Sequence, residues 1–271
     1  MDAFEKLNLW RKSINSRLRE LLLLVKDERL REALSYYPLQ EGKRLRPLSL
    51  VATCDALSGN LDDAITLGCA IELIHAYSLI HDDLPNLDNA TFRRNLPAFH
   101  IRFGDDIAIL AGDGLLTLAF EVLSKRELYK SLDERALLRA IHLTAVKSGP
   151  SGMVLGQALE LYHHTDREYI NLLKTAELFS LCFMLGGLCA NLEDLSALEA
   201  LGKRFGICFQ MLDDLRDKDG LYLNLGSILE KKLISELKSL LTSLKELSLF
   251  TKEIEIIMKL AFGETIQELF S

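Results

Sequence analysis

The chain has 271 residues, of which 49 % are hydrophobic and only 5 are proline, and its 32 basic and 39 acidic side chains give a formal net charge of −7. This apolar content excludes an intrinsically disordered chain, and the acidic balance argues against a nucleic-acid binder, which needs a basic surface. At about 150 residues per domain, the length fits one large domain or two small ones.

The sequence predicts neither a secretory leader nor a membrane span. The N-terminus mixes acidic with basic residues and has no apolar core. The longest uncharged apolar stretch runs from about Leu178 to Leu192, short of the about 20 residues that a spanning helix needs. The 5 cysteines form no CxxC pair and lie among apolar residues, which predicts core thiols in a reducing cytoplasm rather than disulfides or a metal site.

Apolar residues recur at helical spacing along most of the chain. Leu18, Leu21 and Val25 lie on one stripe near the start, and leucines mark one face within residues 233–244. The alternation typical of strands is scarce, glycine and proline fall in turns, and no Ser/Gly-rich linker divides the chain. We therefore expect an all-α protein of about ten or more helices in one domain, residues 1–271.

The first charged motif is basic. The segment Gly42-Lys43-Arg44-Leu45-Arg46-Pro47 places three cations in four positions before an apolar helix. Arginine presents a planar fork that matches phosphate oxygens, and lysine adds a compact charge. A solvated basic turn would have the same pattern, so this motif alone leaves both interpretations open.

The first acidic cluster is Asp82, Asp83 and Asp88, at the end of an apolar run and before the Arg93-Arg94 pair. Pro85 interrupts a regular helix there. Carboxylates at a helix C-terminus oppose the helix dipole, so the cluster indicates either a bound cation or a polar loop.

The second acidic cluster lies in another apolar helix. Gln210, Asp213, Asp214 and Asp217 share a side at 3.6 residues per turn, and Asp213 and Asp217 repel each other at i,i+4. A solvated helix end is the alternative to a metal site. Mg²⁺ suits one or two carboxylates together with water and phosphate oxygens. Two such clusters and separate cations, including Lys174, favour a site for diphosphate esters.

Seven ordered segments between Gly42 and Asp217 resemble the trans-polyprenyl diphosphate synthases, in particular the bacterial farnesyl diphosphate synthases. They are GKRLRP, IELIHAYSLIHDDLPNLD, FRR, ILAGDGLLTLAFEVL, GMVLGQALEL, KTAELF and FQMLDDLRD. The resemblance implies an isoprenoid synthase fold with helices around a central cavity. It also implies a cytoplasmic homodimer that condenses isopentenyl diphosphate head-to-tail with dimethylallyl or geranyl diphosphate, using Mg²⁺, to give farnesyl diphosphate.

The resemblance further implies a role for each matching residue. Metal ligands would be Asp82, Asp83, Asp88, Asp213, Asp214 and Asp217, with Asp214 and Asp217 acting partly through water. The isopentenyl diphosphate site would comprise Gly42, Lys43, Arg46, His75 and Arg94. The allylic side would comprise Arg93, Lys174, Thr175 and Gln210. Of these, Asp82, Asp83, Asp213 and Lys174 would be catalytic.

Product length has a steric argument of its own. Tyr77 lies five residues before Asp82, more than one helical turn below it. Its ring would form the floor of the cavity and stop chain growth early, although ordinary helix packing would also explain it. Together with the two extra residues between the acids of the first motif, Tyr77 favours farnesyl over long-chain products.

The sequence departs from the family pattern in three ways. Asn95 stands where the family usually has glycine, and the chain is somewhat short for the family. The Gly-Lys loop that normally follows the second acidic motif is either short here or lacks residues in the sequence as given, with Lys218 as the nearest substitute. A geranyl or geranylgeranyl diphosphate synthase remains an alternative. A non-catalytic partner subunit would tend to lose aspartates that are all present here, and a class I terpene cyclase would normally lack GKRLRP.

Overall fold

The computed structural model describes residues 1–266, and nearly all of its regular structure is helical. Fourteen α-helices occur in this part of the chain: α1 (Ala3–Leu22), α2 (Glu28–Ser35), α3 (Leu45–Ala56), α4 (Leu61–Asp82), α5 (Phe99–Phe103), α6 (Asp105–Ser124), α7 (Glu134–Ser148), α8 (Met153–Leu161), α9 (Arg167–Asn171), α10 (Glu177–Cys189), α11 (Ser196–Asp217), α12 (Leu221–Leu225), α13 (Ile228–Glu246) and α14 (Lys252–Phe262). The expectation of an all-α protein with ten or more helices is confirmed.

Three shorter features interrupt this pattern. A hairpin of β1 (Phe92–Arg93) and β2 (Leu96–Pro97) pairs antiparallel, with Phe92 opposite Pro97. A π-helical turn, Leu172–Ala176, joins α9 to α10. Single turns of 3-10 helix occur at Arg126–Leu128 and Gly263–Ile266. The apolar pattern predicted neither the hairpin nor the π-helical turn.

The centre of the fold is formed by the most apolar helices. Every residue of α10 is buried, and α10 packs against α3, α4, α7 and α11. A helix that is apolar on all sides needs neighbours on all sides, which explains its central place. The predicted N-terminal stripe is buried at Leu18 and Leu21, and the leucines of α13 face the same core, although α1 ends before Val25.

Three helical segments are long and apolar enough to cross a membrane by length and composition alone, which the sequence analysis missed. They are Leu61–Asp82, Asp105–Ser124 and Arg167–Cys189, and their apolar windows are 72 %, 44 % and 89 % buried inside the protein. Packing within the fold therefore accounts for most of the apolar surface of the first and third. The window of α6 is the least covered of the three.

Candidate active site

One cavity brings the two acidic motifs together. It has a volume of about 740 Å³ and is lined by the end of α4 and the following loop, by α8, by the π-helical turn and by α11. The site residues predicted from sequence that line it are Asp82, Asp88, Asp213, Arg46, His75, Arg93, Arg94, Lys174, Thr175, Gln210 and Tyr77. The lining does not include Gly42, Lys43, Asp83, Asp214 or Asp217.

Asp82 and Asp213 are half-buried carboxylates that lie close to other carboxylates. The pKa of Asp82 is raised to about 6, mainly by burial and in part by the carboxylates Asp88 and Asp83, while Lys174 and Arg93 oppose the rise. The pKa of Asp213 is likewise raised to about 6, mainly by burial and in part by Asp217 and Asp214, while Arg216 opposes the rise. A cation bound between the two motifs would relieve this repulsion.

Asp83 lies next to Asp82 in the chain but has a different environment. Its side chain is completely buried, and it accepts a 2.5 Å hydrogen bond from the Tyr37 hydroxyl and bonds from Nε and Nη2 of Arg93. The same hydroxyl accepts a 2.9 Å bond from the Phe99 backbone N–H. Asp83 therefore holds the cavity-lining Arg93 in place, and its protein partners already occupy both of its oxygens.

Asp214 repeats this arrangement in the second motif. It is 3 % exposed and accepts hydrogen bonds from Asn171 Nδ2 at 3.1 Å, from Gln210 Nε2 at 2.9 Å and from the Leu221 N–H at 2.9 Å. Gln210 Oε1 in turn accepts from the Thr175 hydroxyl at 2.8 Å. This chain of bonds orients Thr175 and Gln210 at the cavity wall, whereas Asp217 is exposed at the end of α11.

A cationic group occupies the cavity wall at α3 and α4. The guanidinium of Arg46 lies over the ring of Phe179, 4.6 Å from its centroid, and its Nη1 is 3.3 Å from His75 Nε2. Burial, and then the charges of Arg46 and Arg94, push the pKa of His75 far below its usual value. His75 is therefore a neutral imidazole among cations.

Gly42 and Asn95 explain how the basic segment and the Arg93-Arg94 pair come close. A Cβ atom at Gly42 would lie only 3.1 Å from Nη1 of Arg94, so this glycine lets the basic loop approach that arginine. Arg94 and Asn95 both have positive φ, 51° and 64°. Asparagine is one of the few side chains that tolerate this region, so Asn95 meets the backbone requirement that glycine usually meets there.

Lys174 points into the cavity from the π-helical turn and has a protein counter-ion. Its Nζ lies 2.5 Å from Oε2 of Glu160 on α8, and the other Glu160 oxygen is 3.5 Å from Arg167. A Cβ atom at Gly156 would come within 2.4 Å of the Lys174 backbone nitrogen, so α8 rests directly on this turn. Sequence reasoning missed Glu160, although it lies within the GMVLGQALEL segment, and it also missed Tyr37 and Asn171.

Tyr77 lines the cavity on α4, one turn below the acids. It is 6 % exposed, and its ring meets the His81 ring edge-to-face with centroids 5.9 Å apart and an interplanar angle of 77°. His81 Nε2 is 3.2 Å from the carbonyl oxygen of Ile109, and a Cβ at Gly112 would collide with the imidazole. His81 thus packs from α4 against α6 and supports the tyrosine ring.

The donor set fits a metal that is shared with a ligand. Within residues 1–266, no three His, Cys, Asp or Glu side chains are close enough together to hold a metal ion by themselves. Asp82, Asp88 and Asp213 nevertheless line one cavity, and no side chain in the described part of the chain hydrogen bonds to their carboxylates. Two half-buried carboxylates, Asp82 and Asp213, and an exposed one, Asp88, are few oxygen donors, which suits Mg²⁺ that keeps water and phosphate ligands.

Comparison with known proteins agrees with this geometry. The family model described as polyprenyl synthetase matches residues 27–229. The chain belongs to the polyprenyl synthetase family. It is 41 % identical over 208 residues to a farnesyl diphosphate synthase from Micrococcus luteus, a match that covers 74 % of this chain and 70 % of that relative. It is 34 % identical to a chloroplastic geranylgeranyl pyrophosphate synthase from Catharanthus roseus, covering 83 % of this chain and 65 % of that relative.

Solved structures of polyprenyl synthetase type have the same fold. A geranyltransferase from Legionella pneumophila superposes with a TM-score of 0.87 at 32 % identity, covering 96 % of both chains. An FPP/GFPP synthase from Zymomonas mobilis superposes with a TM-score of 0.85 at 33 % identity, covering 97 % of this chain and 98 % of that one. The expected isoprenoid synthase fold is confirmed, and the protein is a prenyltransferase that makes short-chain prenyl diphosphates.

The segment after the second motif is short in this polyprenyl synthetase. Lys218 ends α11 with a left-handed φ of 56°, and Gly220, with φ of 50°, leads directly into α12. The Leu221 N–H bonds to Asp214, so that carboxylate fixes the shortened connection. Lys218 is exposed and does not line the cavity, and its substitute role stays a prediction.

Proposed function

We propose that the protein condenses isopentenyl diphosphate head-to-tail with dimethylallyl or geranyl diphosphate and releases farnesyl diphosphate and pyrophosphate. The observation that carries this proposal is the single cavity in which unpaired carboxylates, a cationic cluster and an apolar wall meet. Carboxylates suit metal ions, the cations suit phosphate, and the apolar wall suits an isoprenoid tail.

The two ends of the cavity wall would hold the two substrates. Lys174, Arg93, Thr175 and Gln210 face the acidic motifs and would bind the allylic diphosphate. Gly42, Lys43, Arg46, His75 and Arg94 would bind isopentenyl diphosphate. Lys43 is exposed but lies close enough to Asp213 to lower its pKa, so the two substrates would meet between the basic loop and α11.

Mg²⁺ held by Asp82, Asp88 and Asp213 would neutralise the allylic diphosphate and make it a better leaving group. Lys174 and Arg93 would take the charge that grows on the leaving oxygens as the allylic C–O bond breaks. The isopentenyl double bond then forms the new C–C bond to the allylic carbon, and the released pyrophosphate accepts the proton that restores an alkene. Asp83 would orient Arg93, and Asp214 would orient Gln210. The metal contacts that the resemblance implies for Asp83 and Asp214, and for Asp217 through water, would then be secondary.

The proposal of a farnesyl product depends on Tyr77 and on His81, which packs against its ring. The ring lines the cavity on α4 and is backed by His81, so it would form the floor that stops a chain growing along this wall. The farnesyl diphosphate synthases of Micrococcus luteus and Geobacillus stearothermophilus, at 41 % and 38 % identity, favour the same product. The 34 % identity to a geranylgeranyl pyrophosphate synthase keeps a longer product as the alternative.

We further propose that residues 1–271 act as one catalytic domain in a cytoplasmic homodimer. The apolar helix α6 exposes Ile109 and Leu110, and Ile101 on α5 is exposed near it; a second copy would cover them. All 5 cysteines are free and buried, which suits a reducing compartment. Retention of every aspartate of both motifs speaks against a non-catalytic subunit.

The proposed function is tested by incubating the purified protein with isopentenyl diphosphate, Mg²⁺ and each of three primers, dimethylallyl, geranyl and farnesyl diphosphate. Mass analysis of the extracted products should show a C15 chain from the first two primers and little elongation of the third. A geranyl or geranylgeranyl product would correct the chain length. If none of the three primers gives a prenyl product, the proposal of a synthase is wrong.

A further inference from the structure

Arg44 is the cation of the basic segment that faces away from the cavity. It is 5 % exposed and does not line the cavity, whereas its neighbour Lys43 is exposed and Arg46 lies in the wall. Building on the proposed function, we propose that Arg44, paired with Glu72, is a positioning residue for isopentenyl diphosphate. It would fix the loop that carries Gly42 and Lys43 and the first turn of α3 that carries Arg46.

Every nitrogen of the Arg44 guanidinium already has a protein partner. Nη1 donates to Glu72 Oε1 at 2.6 Å, and Nε donates to Asn15 Oδ1 at 3.0 Å. Nη2 donates to the backbone carbonyls of Pro38 at 2.7 Å and Gln40 at 2.9 Å. Four of the five N–H donors of Arg44 are used in this way, and its side chain does not line the cavity, so its influence on the substrate passes through the groups that it holds.

These bonds close the basic loop on itself. The two carbonyls lie at the start of the loop and the arginine lies at its end, so the guanidinium bridges the loop from inside. Arg44 also has a left-handed φ of 53° at the N-cap of α3, without a side-chain cap. Such a backbone conformation is unfavourable for a non-glycine residue and persists only where surrounding contacts enforce it. Lys43 lies one residue before Arg44 and Arg46 lies two residues after it, so both are held close to this fixed residue.

Glu72 connects the loop to the rest of the cationic group. It lies on α4 three residues before His75, so both side chains are on one face of that helix. Its charge acts on Arg46 and is the leading opposite charge on Arg94. Its side chain is 6 % exposed and that of Arg44 is 2 % exposed. One buried carboxylate therefore orients Arg44 and offsets three arginines that would otherwise repel each other.

The kinetic effect of breaking the Arg44–Glu72 pair depends on whether the pair only stabilises the fold or also positions the substrate. Loss of a structural pair lowers stability and affects both substrates alike, whereas loss of a positioning pair raises the KM of isopentenyl diphosphate selectively. Asp63 supplies the matched control on the same helix. It is fully buried and accepts bonds from the N–H groups of Lys130, Ser131 and Leu132, away from the cavity.

The experiment compares Arg44→Lys, Glu72→Gln and Asp63→Asn with the wild type. For the first two, the KM of isopentenyl diphosphate should rise about tenfold, as expected for loss of one charge-assisted hydrogen bond. The KM of geranyl diphosphate should stay within about twofold. Asp63→Asn should lower the melting temperature and leave both constants unchanged. Asn15→Ala removes only the outermost bond to Arg44 and should shift the isopentenyl KM alone, by a smaller factor.

Binding of isopentenyl diphosphate without primer, measured by titration calorimetry, separates this inference from the proposed function. If the wild type binds isopentenyl diphosphate but transfers no prenyl group, the proposed function fails and the calorimetric comparison still decides the role of Arg44. Equal rises in both KM values, or an unchanged isopentenyl affinity in Arg44→Lys, Glu72→Gln and Asn15→Ala alike, would overturn the inference. If Arg44→Lys and Glu72→Gln fail to fold, Asn15→Ala decides alone.

Discussion

Asp82 and Asp83 are consecutive residues whose carboxylates have opposite surroundings. Asp82 lines the cavity without a hydrogen-bonding side-chain partner in the described part of the chain, and Asp83 is fully buried between Tyr37 and Arg93. The second motif repeats the division, because Asp213 lines the cavity and Asp214 is bonded to Asn171. In each motif, one carboxylate is available to a ligand and the next one stabilises the site.

This division predicts different phenotypes for neighbouring substitutions. Asp82→Asn should lower kcat by at least about 10²-fold, because a group that stabilises developing charge is lost, while the fold remains intact. Asp83→Asn should lower the free energy of unfolding by about 1–3 kcal/mol, since it leaves buried donors without their acceptor. Enzyme assays at saturating Mg²⁺ and urea denaturation measure the two effects. Equal loss of activity with no loss of stability in both variants would contradict the division.

The same carboxylates predict how the stability of the metal-free protein depends on pH. Asp82 and Asp213 have pKa values of about 6 in the folded protein, above the value of about 3.9 for a free aspartate. Between these values the folded state binds more protons than the unfolded state, so stability falls as the pH rises towards 6. The full destabilisation is present above pH 6 and is relieved below pH 4.

Asp82→Asn should therefore raise the melting temperature of the chelator-treated protein at pH 7.5, by about 2–4 °C for each kcal/mol relieved. The increase should shrink at pH 5, where the wild-type carboxyl is largely protonated. Glu246→Gln is the control, because Glu246 is exposed at the end of α13, away from the cavity, and its replacement should change little at either pH. An increase of the same size at both pH values would contradict the claim that the ionised carboxylate of Asp82 destabilises the metal-free protein.

Tyr77→Ala should lengthen the product. Removing the ring opens the cavity beside α4, and His81 would no longer have the edge-to-face contact that packs it. With geranyl diphosphate as primer, a C20 or longer chain should replace part of the C15 product in mass analysis. Tyr129→Phe is a suitable control, since Tyr129 is buried but donates its hydroxyl to the Val122 carbonyl outside the cavity. An unchanged product length from Tyr77→Ala would contradict the claim that the Tyr77 ring forms the floor of the cavity.

Gly156→Ala should displace Lys174. The added Cβ would lie 2.4 Å from the Lys174 backbone nitrogen, and backbone atoms cannot move aside as a side-chain tip can. The variant should lower kcat by about tenfold or more through a misplaced lysine and should also lower stability. Gly114→Ala is the matched control, because its Cβ would meet only a methyl group of Leu34 at 3.3 Å. Similar kinetics for the two variants would contradict the close packing of α8 on the π-helical turn.

Much of this architecture could be predicted from the sequence, because periodicity and motif spacing are local. The apolar stripes of α1 and α13 follow from helical spacing, and the resemblance to the polyprenyl diphosphate synthases implied the cavity position of Asp82, Asp88, Asp213 and Tyr77. Sequence spacing could not show that Asp82 faces the cavity while Asp83 is buried, because Asp83 bonds to Tyr37, which is 46 positions away in the chain. That distinction depends on tertiary contacts.

Other features were not predictable for the same reason. The π-helical turn inserts one residue into the helix that carries Lys174 and Thr175, and an apolar pattern cannot register a single extra residue within one turn. The pairing of Lys174 with Glu160 joins two helices, and the inward direction of Arg44 depends on carbonyls of its own loop. Side-chain direction at such sites is set by the packed fold.

The central claim is that Asp82, Asp88 and Asp213 serve a Mg²⁺-dependent prenyl transfer in this cavity. The most direct test is the rate of condensation of isopentenyl with geranyl diphosphate, followed by mass analysis, for the chelator-treated protein with and without added Mg²⁺. We predict C15 diphosphate only when Mg²⁺ is added, and a rate at least about 10²-fold lower for Asp82→Asn and for Asp213→Asn under the same conditions. Product formation that is independent of Mg²⁺, or undiminished in both variants, would contradict the account.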